Sequence, residues 1–311
     1  MGAAVAATPM LHVISGDCAA ERLRAAGLPG EVVPWRDSPA VGPAPAALPD
    51  AERRALRAAF WGMPEDELQD PAAAHAGGGS ETVFWFDGCP WDQAMLVELL
   101  AVTNSSAPPS LIQVGEHPDV PGYAGLGQLS PEQLAAFFPE RQPVTPAQRE
   151  LATAAWSALG ADDPRPLADL LDTDTSPLPY LKPALERLLE ELPSTAHGLS
   201  RSEEEVLRAV AAGARRFPDL LRAVAAMERP NHGLWFGDRV LALTLRALAS
   251  APAPALAADA VALTPFGEDL LAGRADWVRD HGVDRWRGGV RLAGRGPVWR
   301  WDPAARRPVF V

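Results

Sequence analysis

The stretch 82–93, TVFWFDGCPWDQ, decides the fold of this chain. It begins with five apolar or β-branched residues, a length and composition typical of a buried strand. The run ends abruptly at Asp87, and Asp92-Gln93 then opens a helix that the pattern extends to Val102. A buried strand that ends in an acid and turns into a helix is typical of an open α/β sheet, which binds ligands at the carboxyl ends of its strands. The stretch therefore predicts a fold class and the place of a site, but it names no reaction.

The same alternation of strand and helix recurs on both sides of this stretch. Strands are predicted at 11–15, 31–35, 82–86 and 111–114, with helices between them. This βαβαβαβ order predicts a small open parallel sheet with helices on both faces. We therefore expect an α/β plus α fold, in which an α/β domain over 10–142 is followed by a helical connector over 143–196.

Residues 197–311 follow a different pattern. Ser200-Arg201-Ser202-Glu203 is a capping box that starts a helix, and apolar spacing indicates two further helices after it. The segments 289–293, 298–302 and 307–311 alternate like the strands of a β-meander. Three helices followed by a β-hairpin are typical of a winged helix. We therefore predict a winged-helix-like domain over 197–311 that ends in this meander.

Acidic residues follow several of the predicted strands. Because the carboxyl ends of parallel strands lie at one edge of the sheet, acids that are scattered in the sequence are predicted to meet there. We include the turn after the first strand and Ser130, the N-cap of a later helix. The candidate ligand-binding residues are Gly16, Asp17, Cys18, Asp37, Asp87, Asp92, Gln93 and Ser130.

This acidic edge is open to three interpretations. Asp17, Asp37, Asp87 and Asp92 could coordinate Mg²⁺ through oxygen ligands and support chemistry on a phosphate-bearing or nucleotide substrate. They could instead line a metal-free ligand pocket. The structural alternative is that they cap helices and hold turns. Cys18 and Cys89 follow neighbouring predicted strands, but a thiolate site would need a nearby base or further soft ligands.

The chain contains neither a phosphate-binding loop nor a nucleophile elbow. Apart from the Mg²⁺ of the first interpretation, the sequence therefore predicts no cofactor and no resident metal, and it identifies no catalytic residue. With 47% apolar and 22% charged residues, the 311-residue chain is typical of globular proteins and long enough for two domains. No apolar run approaches the roughly 20 residues that a membrane-spanning helix needs. Two cysteines are too few for a disulfide framework, so we expect a cytoplasmic protein.

Charge is distributed unevenly along the chain. The segment 274–311 contains nine arginines and four aspartates, a local +5, so the total of −12 leaves −17 for the rest. The acidic body opposes nonspecific attraction to nucleic acid. In the basic segment, Trp286, Trp299 and Trp301 alternate with arginines, a pattern that suits nucleic acid or an intramolecular contact. The candidate nucleic-acid-binding residues are Arg285, Arg287, Arg291, Arg295 and Arg300, and we expect Arg300 to face water opposite the two neighbouring indoles.

Short motifs are spread over nearly the whole chain from Met10. They are Gly16-Asp17-Cys18-Ala19-Ala20, Trp35-Arg36-Asp37, Trp85-Phe86-Asp87 with Asp92-Gln93, Gly127-Gln128-Leu129, Gly198-Leu199-Ser200-Arg201, Leu263-Thr264 with Gly267 and Leu271-Ala272-Gly273, Arg285-Trp286 with Gly288-Gly289, and Trp299-Arg300-Trp301-Asp302. Together they make the chain resemble the bacterial family called domain of unknown function 1835. That resemblance implies a two-part layout and supplies no settled activity or substrate. Cys18 departs from the family pattern, where Ser is expected, as does Gly88-Cys89-Pro90, where a more polar stretch is usual.

These observations predict a regulatory or adaptor protein without catalytic activity. Its α/β domain would bind a small molecule or a partner protein at the acidic edge, and the winged-helix-like module would be tied to that domain. The alternative is the Mg²⁺-dependent enzyme that uses the four aspartates.

Overall fold

The structure is a computed structural model that describes residues 10–74, 81–102, 108–228, 235, 237–257 and 261–311. The strands in the first half of the chain are β1 (Met10–Ser15), β2 (Glu31–Trp35), β3 (Gly42–Pro43), β4 (Glu81–Asp87), β5 (Ser110–Val114) and β6 (Gln142–Pro143). Five of them form the principal sheet, in the order β2-β1-β4-β5-β6. In this sheet β1, β2, β4 and β5 run parallel and β6 is antiparallel to β5. The predicted parallel α/β sheet is confirmed.

Helices cover both faces of this sheet because β4 is apolar on both sides. Side chains alternate across a strand, so Phe84 and Phe86 enter one core while Val83 and Trp85 enter the other. The helices of this part are α1 (Asp17–Ala25), α2 (Asp50–Trp61), α3 (Pro90–Val102) and α4 (Pro131–Phe137). The second core also contains residues of α1 and α4, whereas the first contains residues along most of α3. A strand buried on both faces is characteristic of parallel sheets.

The remaining elements extend the first core. Three helices follow β6, namely α5 (Pro146–Leu159), α6 (Arg165–Asp169) and α7 (Leu181–Leu189). The later helices are α8 (Arg201–Ala211), α9 (Phe217–Glu228), α10 (Asp238–Leu248), α11 (Pro265–Leu271) and α12 (Trp277–Asp280). One continuous cluster of buried apolar residues runs from Val13 to Trp301 and crosses the predicted limits at 142 and 196. No described helix is long and apolar enough to cross a membrane.

The structure does not confirm a winged helix at the C-terminus. The last four strands, β7 (Val283–Gly288), β8 (Val290–Gly294), β9 (Trp299–Asp302) and β10 (Arg307–Phe310), form two separate hairpins. Strand β3 adds to the first hairpin in parallel and makes the order β3-β7-β8. The second hairpin is held beside 193–195, where Trp301 N donates to Pro193 O and Thr195 N donates to Trp301 O. Contacts with distant segments therefore replace the predicted continuous meander.

A buried charge network links α7 to α8 and α9. The Arg187 guanidinium donates to Glu228 (2.9 Å), Glu191 (2.8 Å) and the Ser202 hydroxyl (2.9 Å). Trp235 Nε1 also donates to Glu228, at 3.1 Å. These contacts fix Trp235, which follows α9 in the chain, against the helical part of the molecule.

Candidate functional site

A cavity of about 600 Å³ opens at the carboxyl edge of β1, β2 and β4, where the sequence predicts a site. Ligand pockets in proteins span about 300–1,000 Å³, so this cavity accommodates a small organic molecule. The sheet contributes residues that directly follow its strands. They are Gly16, Asp17, Trp35, Arg36, Asp37, Asp87, Cys89, Trp91 and Asp92.

The opposite wall of this pocket comes from segments that are distant in the sequence. Trp61 and Met63 lie at the end of α2, and 67–69 follow shortly after. Trp235 and 237–240 approach from the helical part of the chain. Arg239 Nη2 donates to the Trp61 carbonyl, and its guanidinium lies 4.6 Å from the centroid of the Trp61 ring. The start of α10 therefore closes one side of the pocket.

Four indoles contribute to the pocket walls. Trp61 and Trp91 have ring centroids 6.5 Å apart at 60°, and Trp35 and Trp235 line the same space. Trp35 is only 3% exposed, and its Nε1 has no hydrogen-bond partner among the described residues. A buried N–H without a partner carries a free-energy cost, so this wall keeps an unused donor. Flat aromatic walls of this kind favour planar ligands and cations.

Three buried side chains form the floor of the pocket. Cys89 N donates to Asp87 Oδ1 (2.8 Å), Asp87 N donates to Asp92 Oδ2 (2.8 Å), and Asp92 N approaches Cys89 Sγ at 3.4 Å. One ligand atom from each residue lies within 4.8 Å of the others. These bonds follow from the sharp turn of β4 into α3, which folds the backbone of 87–92 around its own side chains.

Burial changes the protonation of this floor. It raises the pKa of the Asp87 carboxyl, and burial together with the charge of Asp87 raises the pKa of Asp92 well above its ordinary value. Burial and the two neighbouring carboxylates also raise the pKa of the Cys89 thiol. Two desolvated carboxyls this close disfavour double ionisation, so we expect the pair to hold its last proton to a higher pH than two separate carboxyls would.

The loop that follows β5 approaches the floor closely. A Cβ placed on Gly125 would lie 2.9 Å from Asp87 Oδ2, and the φ of Gly125 is +146°, so this position requires glycine. Tyr123 lies on the same loop, and its buried hydroxyl has no partner among the described residues. Burial, followed by the charges of Asp87 and Asp92, raises the pKa of that hydroxyl.

The structure brings the four predicted aspartates to one pocket but does not group them around one point. Asp17 is exposed and paired with Arg36 at 2.6 Å, a bond that lowers the pKa of its carboxyl. Asp37 accepts Arg57 Nε at 2.6 Å and Trp61 Nε1 at 2.8 Å. Among the described residues, only Asp87, Cys89 and Asp92 form a cluster that could hold a metal ion. The predicted four-aspartate Mg²⁺ site is therefore not assembled.

The other sequence candidates have different positions. Gly16 lines the pocket with a φ of +79° at the turn from β1 into α1. Gln93 lies beneath the floor, where its Nε2 donates to Asp87 O at 2.6 Å. Cys18 is exposed, does not line the pocket, and its Sγ lies 3.6 Å from Gly127 O. Ser130 caps α4 in a capping box with Gln133 and does not line the pocket.

Sequence reasoning missed most of the aromatic wall. Trp61 and Trp235 come from segments with no strand-end signal, and Arg239 reaches the pocket from α10. Trp91 lies inside the stretch that decides the fold, between Asp87 and Asp92. Its position between two candidate acids was a sequence signal that it lines the pocket.

Most of the predicted nucleic-acid-binding arginines are paired with acids instead of forming an open cationic strip. Arg285 meets Glu203, Arg287 meets Glu191, Arg291 meets Asp284 and Arg300 meets Asp276. Arg295 is exposed and packs against Gly282. The expectation that Arg300 faces water is wrong, because the residue is 9% exposed and bonded to the Asp276 carboxylate.

No protein-family model matches this sequence, and no curated protein matches it significantly. The resemblance to domain of unknown function 1835 therefore stays a prediction.

Proposed function

We propose that this protein binds a small planar ligand, cationic or rich in N–H donors, in the strand-edge pocket, and that it acts as a non-catalytic regulatory or adaptor protein. The observation that carries the proposal is the combination of four indole walls with a buried pair of carboxyls beneath them. Indole faces attract cations and flat rings, and carboxyl oxygens accept N–H donors.

The charge of the lining supports a cation over an anion. The pocket is lined by six acids, Asp17, Asp37, Glu67, Asp87, Asp92 and Asp238, against the two cations Arg36 and Arg239. Arg36 is paired with Asp17, and Arg239 lies on Trp61. A polyanion such as a nucleoside triphosphate would meet an excess of negative charge, whereas a protonated amidine or amine would be attracted.

A binding role is favoured over nucleophilic catalysis by the chemistry of the floor. The raised pKa of the Cys89 thiol keeps it protonated, and the thiolate is the nucleophilic form. The start of α10 lines the pocket, and Arg239 of this helix lies over the Trp61 ring. A ligand between Trp61 and Trp235 would therefore contact α10, and this contact offers a route by which binding could change the position of the helix.

The winged-helix-like arrangement belongs to this proposal. Helix α8 packs against α9, α10 and α11, and an antiparallel bridge joins Leu256 to Leu263 between α10 and α11. Three helices and such a bridge fit a winged-helix-like module. In this arrangement α10 directs Arg239 onto the pocket, which favours intramolecular docking over a nucleic-acid contact.

Benzamidine, benzamide and benzoate provide a matched test of this proposal, because they are planar and differ mainly in charge. We expect benzamidine to bind at least about tenfold more tightly than benzamide, and Asp87→Asn to remove about that factor, since a charged hydrogen bond contributes about 1.5–3 kcal/mol. The affinity should rise with pH, because the two acids with raised pKa must lose the proton that they share before they attract the cation fully. Isothermal titration calorimetry measures each value.

The control for this test is Asp219→Asn, which removes a carboxylate from α9 that is paired with Arg222 on the same helix. Its affinity for benzamidine should equal that of the unmodified chain. Equal binding of all three probes, or benzamidine binding that survives Asp87→Asn, would refute the proposal.

The alternative of a Mg²⁺-dependent enzyme is favoured by one observation, the cluster of Asp87, Cys89 and Asp92. Mg²⁺ prefers six oxygen ligands, and this floor offers two carboxyls whose raised pKa opposes ionisation. We therefore expect about 5 mM Mg²⁺ to leave the melting temperature unchanged, since a ligand that does not bind the native state does not stabilise it. A rise that Asp92→Asn abolishes would favour the metal-dependent enzyme instead.

A further inference from the structure

Arg239 places a guanidinium of the chain itself at the strand-edge pocket. This residue is the second of α10, and both Arg239 and Trp61 line the pocket. The guanidinium lies over the Trp61 ring, 4.6 Å from its centroid, and its Nη2 donates to the Trp61 carbonyl. Arg239 therefore covers indole surface in the pocket wall and uses a carbonyl oxygen beside it.

The guanidinium of Arg239 has the chemistry that we propose for the ligand. It is planar and positively charged, and its nitrogen atoms only donate hydrogen bonds. Its two contacts are a flat cation over an indole and an N–H donated to a carbonyl oxygen, which are the contacts that a planar cationic ligand would make there. The ligand and Arg239 cannot cover the same indole surface together.

The Trp61 ring is held firmly in place. Its Nε1 donates to Asp37 Oδ1 at 2.8 Å, and the Phe60 ring lies against it with centroids 4.8 Å apart at 69°. Asp37 also accepts a hydrogen bond from the buried Arg57, whose Nε lies 2.6 Å from Asp37 Oδ2. The indole is therefore a fixed wall, and a ligand that reaches it must move the group that covers it.

Arg239 is held less firmly than the ring beneath it. Its side chain is exposed and forms no ion pair with a carboxylate of the described residues. A cation–π contact at an exposed site and a hydrogen bond to a neutral acceptor each favour the covered state by about two- to tenfold. A ligand that gains the same contacts can therefore displace Arg239.

The structural alternative is that Arg239 only stabilises the end of α2. The last carbonyl groups of a helix lack partners within it, and α2 has no basic residue in its own last turn. A cation near the carboxyl end of a helix is favourable. In that case Arg239 is a part of the wall, and its removal would lower the affinity for a ligand or leave it unchanged. Removal of a competitor would instead raise the affinity.

We propose that Arg239 is an internal competitor of the ligand, which covers Trp61 in the empty pocket and leaves it when the ligand binds. The start of α10 is then released from the end of α2. This inference rests on the proposed function, because it concerns the same pocket and the same class of ligand. The apparent affinity of such a pocket is lowered by the fraction of molecules in which the indole is uncovered.

Arg239→Ala tests this competition, with benzamidine and benzamide as the cationic and neutral probes. Alanine favours the helix, so the start of α10 is kept. We expect calorimetry to show both probes binding about three- to tenfold more tightly to Arg239→Ala than to the unmodified chain, because both must uncover the same indole. Loss of a positive charge alone would tighten the binding of benzamidine but not that of benzamide. If Arg239→Ala fails to fold, Arg239→Gln should give a smaller gain in the same direction.

Arg246→Ala is the matched control, because Arg246 is an exposed arginine of the same helix and does not line the pocket. Its affinities for both probes should equal those of the unmodified chain. An affinity of Arg239→Ala that is unchanged or lower, or a gain confined to benzamidine, would overturn the inference.

The same titrations separate this inference from the proposed function. If the unmodified chain prefers benzamidine over benzamide but Arg239→Ala binds neither more tightly, the internal competition fails and the proposed function stands. If Arg239→Ala binds both probes more tightly but no preference for benzamidine is found, the competition stands and the proposed preference for a cation fails. Absence of binding by every variant would overturn both.

Discussion

Replacing Arg187 by methionine is expected to lower the free energy of unfolding by about 3–5 kcal/mol, because removal of one partner from a buried ion network leaves the other charges uncompensated. The Arg187 side chain is 2% exposed, and its two carboxylate partners, Glu191 and Glu228, are 6% and 1% exposed. Burial raises the pKa of Glu191, but the charges of Arg187 and Arg287 outweigh burial and bring it to about 2. Loss of Arg187 would therefore strand an ionised carboxylate in the core. Urea denaturation at neutral pH measures the change.

Two further variants separate the buried charge from the lost side chain. Arg222→Met removes an exposed arginine, 76% accessible and paired with Asp219, and should cost less than about 1 kcal/mol. In the double variant Arg187→Met with Glu228→Gln, part of the stability lost in Arg187→Met should return, because one stranded carboxylate is neutralised. If Arg187→Met costs no more than Arg222→Met, the network does not hold α7, α8 and α9 together.

The parallel sheet could be predicted from the sequence because its signals are local. The run Thr82–Phe86 carries enough apolar residues to be buried on both faces, and the turn at Asp87 directs the chain back as α3. The neighbouring strands are also short apolar runs followed by an acid. The parallel topology then brings Asp17, Asp37 and Asp87 to one edge of the sheet. The pocket's position therefore followed from strand ends alone.

The partners of those acids could not be predicted, because they depend on distant contacts. Asp37 is held by Arg57 and Trp61 from α2, and no strand-end rule relates these residues. The pairing of β3 with β7 joins Gly42–Pro43 to Arg287-Gly288, more than two hundred residues away in the sequence. Only packing of the whole chain determines such contacts.

The error at Arg300 has a specific physical cause. Successive side chains of a strand point to opposite faces of the sheet, so the sequence places Arg300 on the face opposite Trp301, and we expected that face to be exposed to solvent. In the structure both faces of β9 are covered, since Arg300 and Trp301 are 9% and 5% exposed. The Asp276 carboxylate, which also caps α12, receives the buried guanidinium. A period of two predicts which residues share a face, but it does not predict what covers that face.

The stability of the fold is expected to depend on pH through Glu98 of α3. Glu98 is 8% exposed, and burial, partly opposed by the charge of Arg57, raises its pKa from 4.5 to about 7. Between those values the unfolded chain releases the Glu98 proton while the folded chain keeps it, so the unfolded state binds fewer protons and stability falls as pH rises. Below about pH 4.5 Glu98 is protonated in both states, and its ionisation costs the fold nothing. Above about pH 7 it is ionised in both states, and the fold is less stable than at low pH by about 3 kcal/mol, the free energy that corresponds to this shift in pKa.

Glu98→Gln removes this ionisation and keeps a similar shape. We expect the free energy of unfolding of Glu98→Gln, relative to the unmodified chain, to rise by about 3 kcal/mol between about pH 4.5 and about pH 8. Other buried acids, such as Asp87 and Asp92, are present in both proteins and cancel in this difference. Glu21→Gln, at an exposed position of α1, should give a difference that varies by less than about 0.5 kcal/mol over the same range. A flat difference for Glu98→Gln would mean that the side chain is solvated. A rising one would show that the fold loses stability as the buried Glu98 carboxyl ionises beside the Arg57–Asp37 pair.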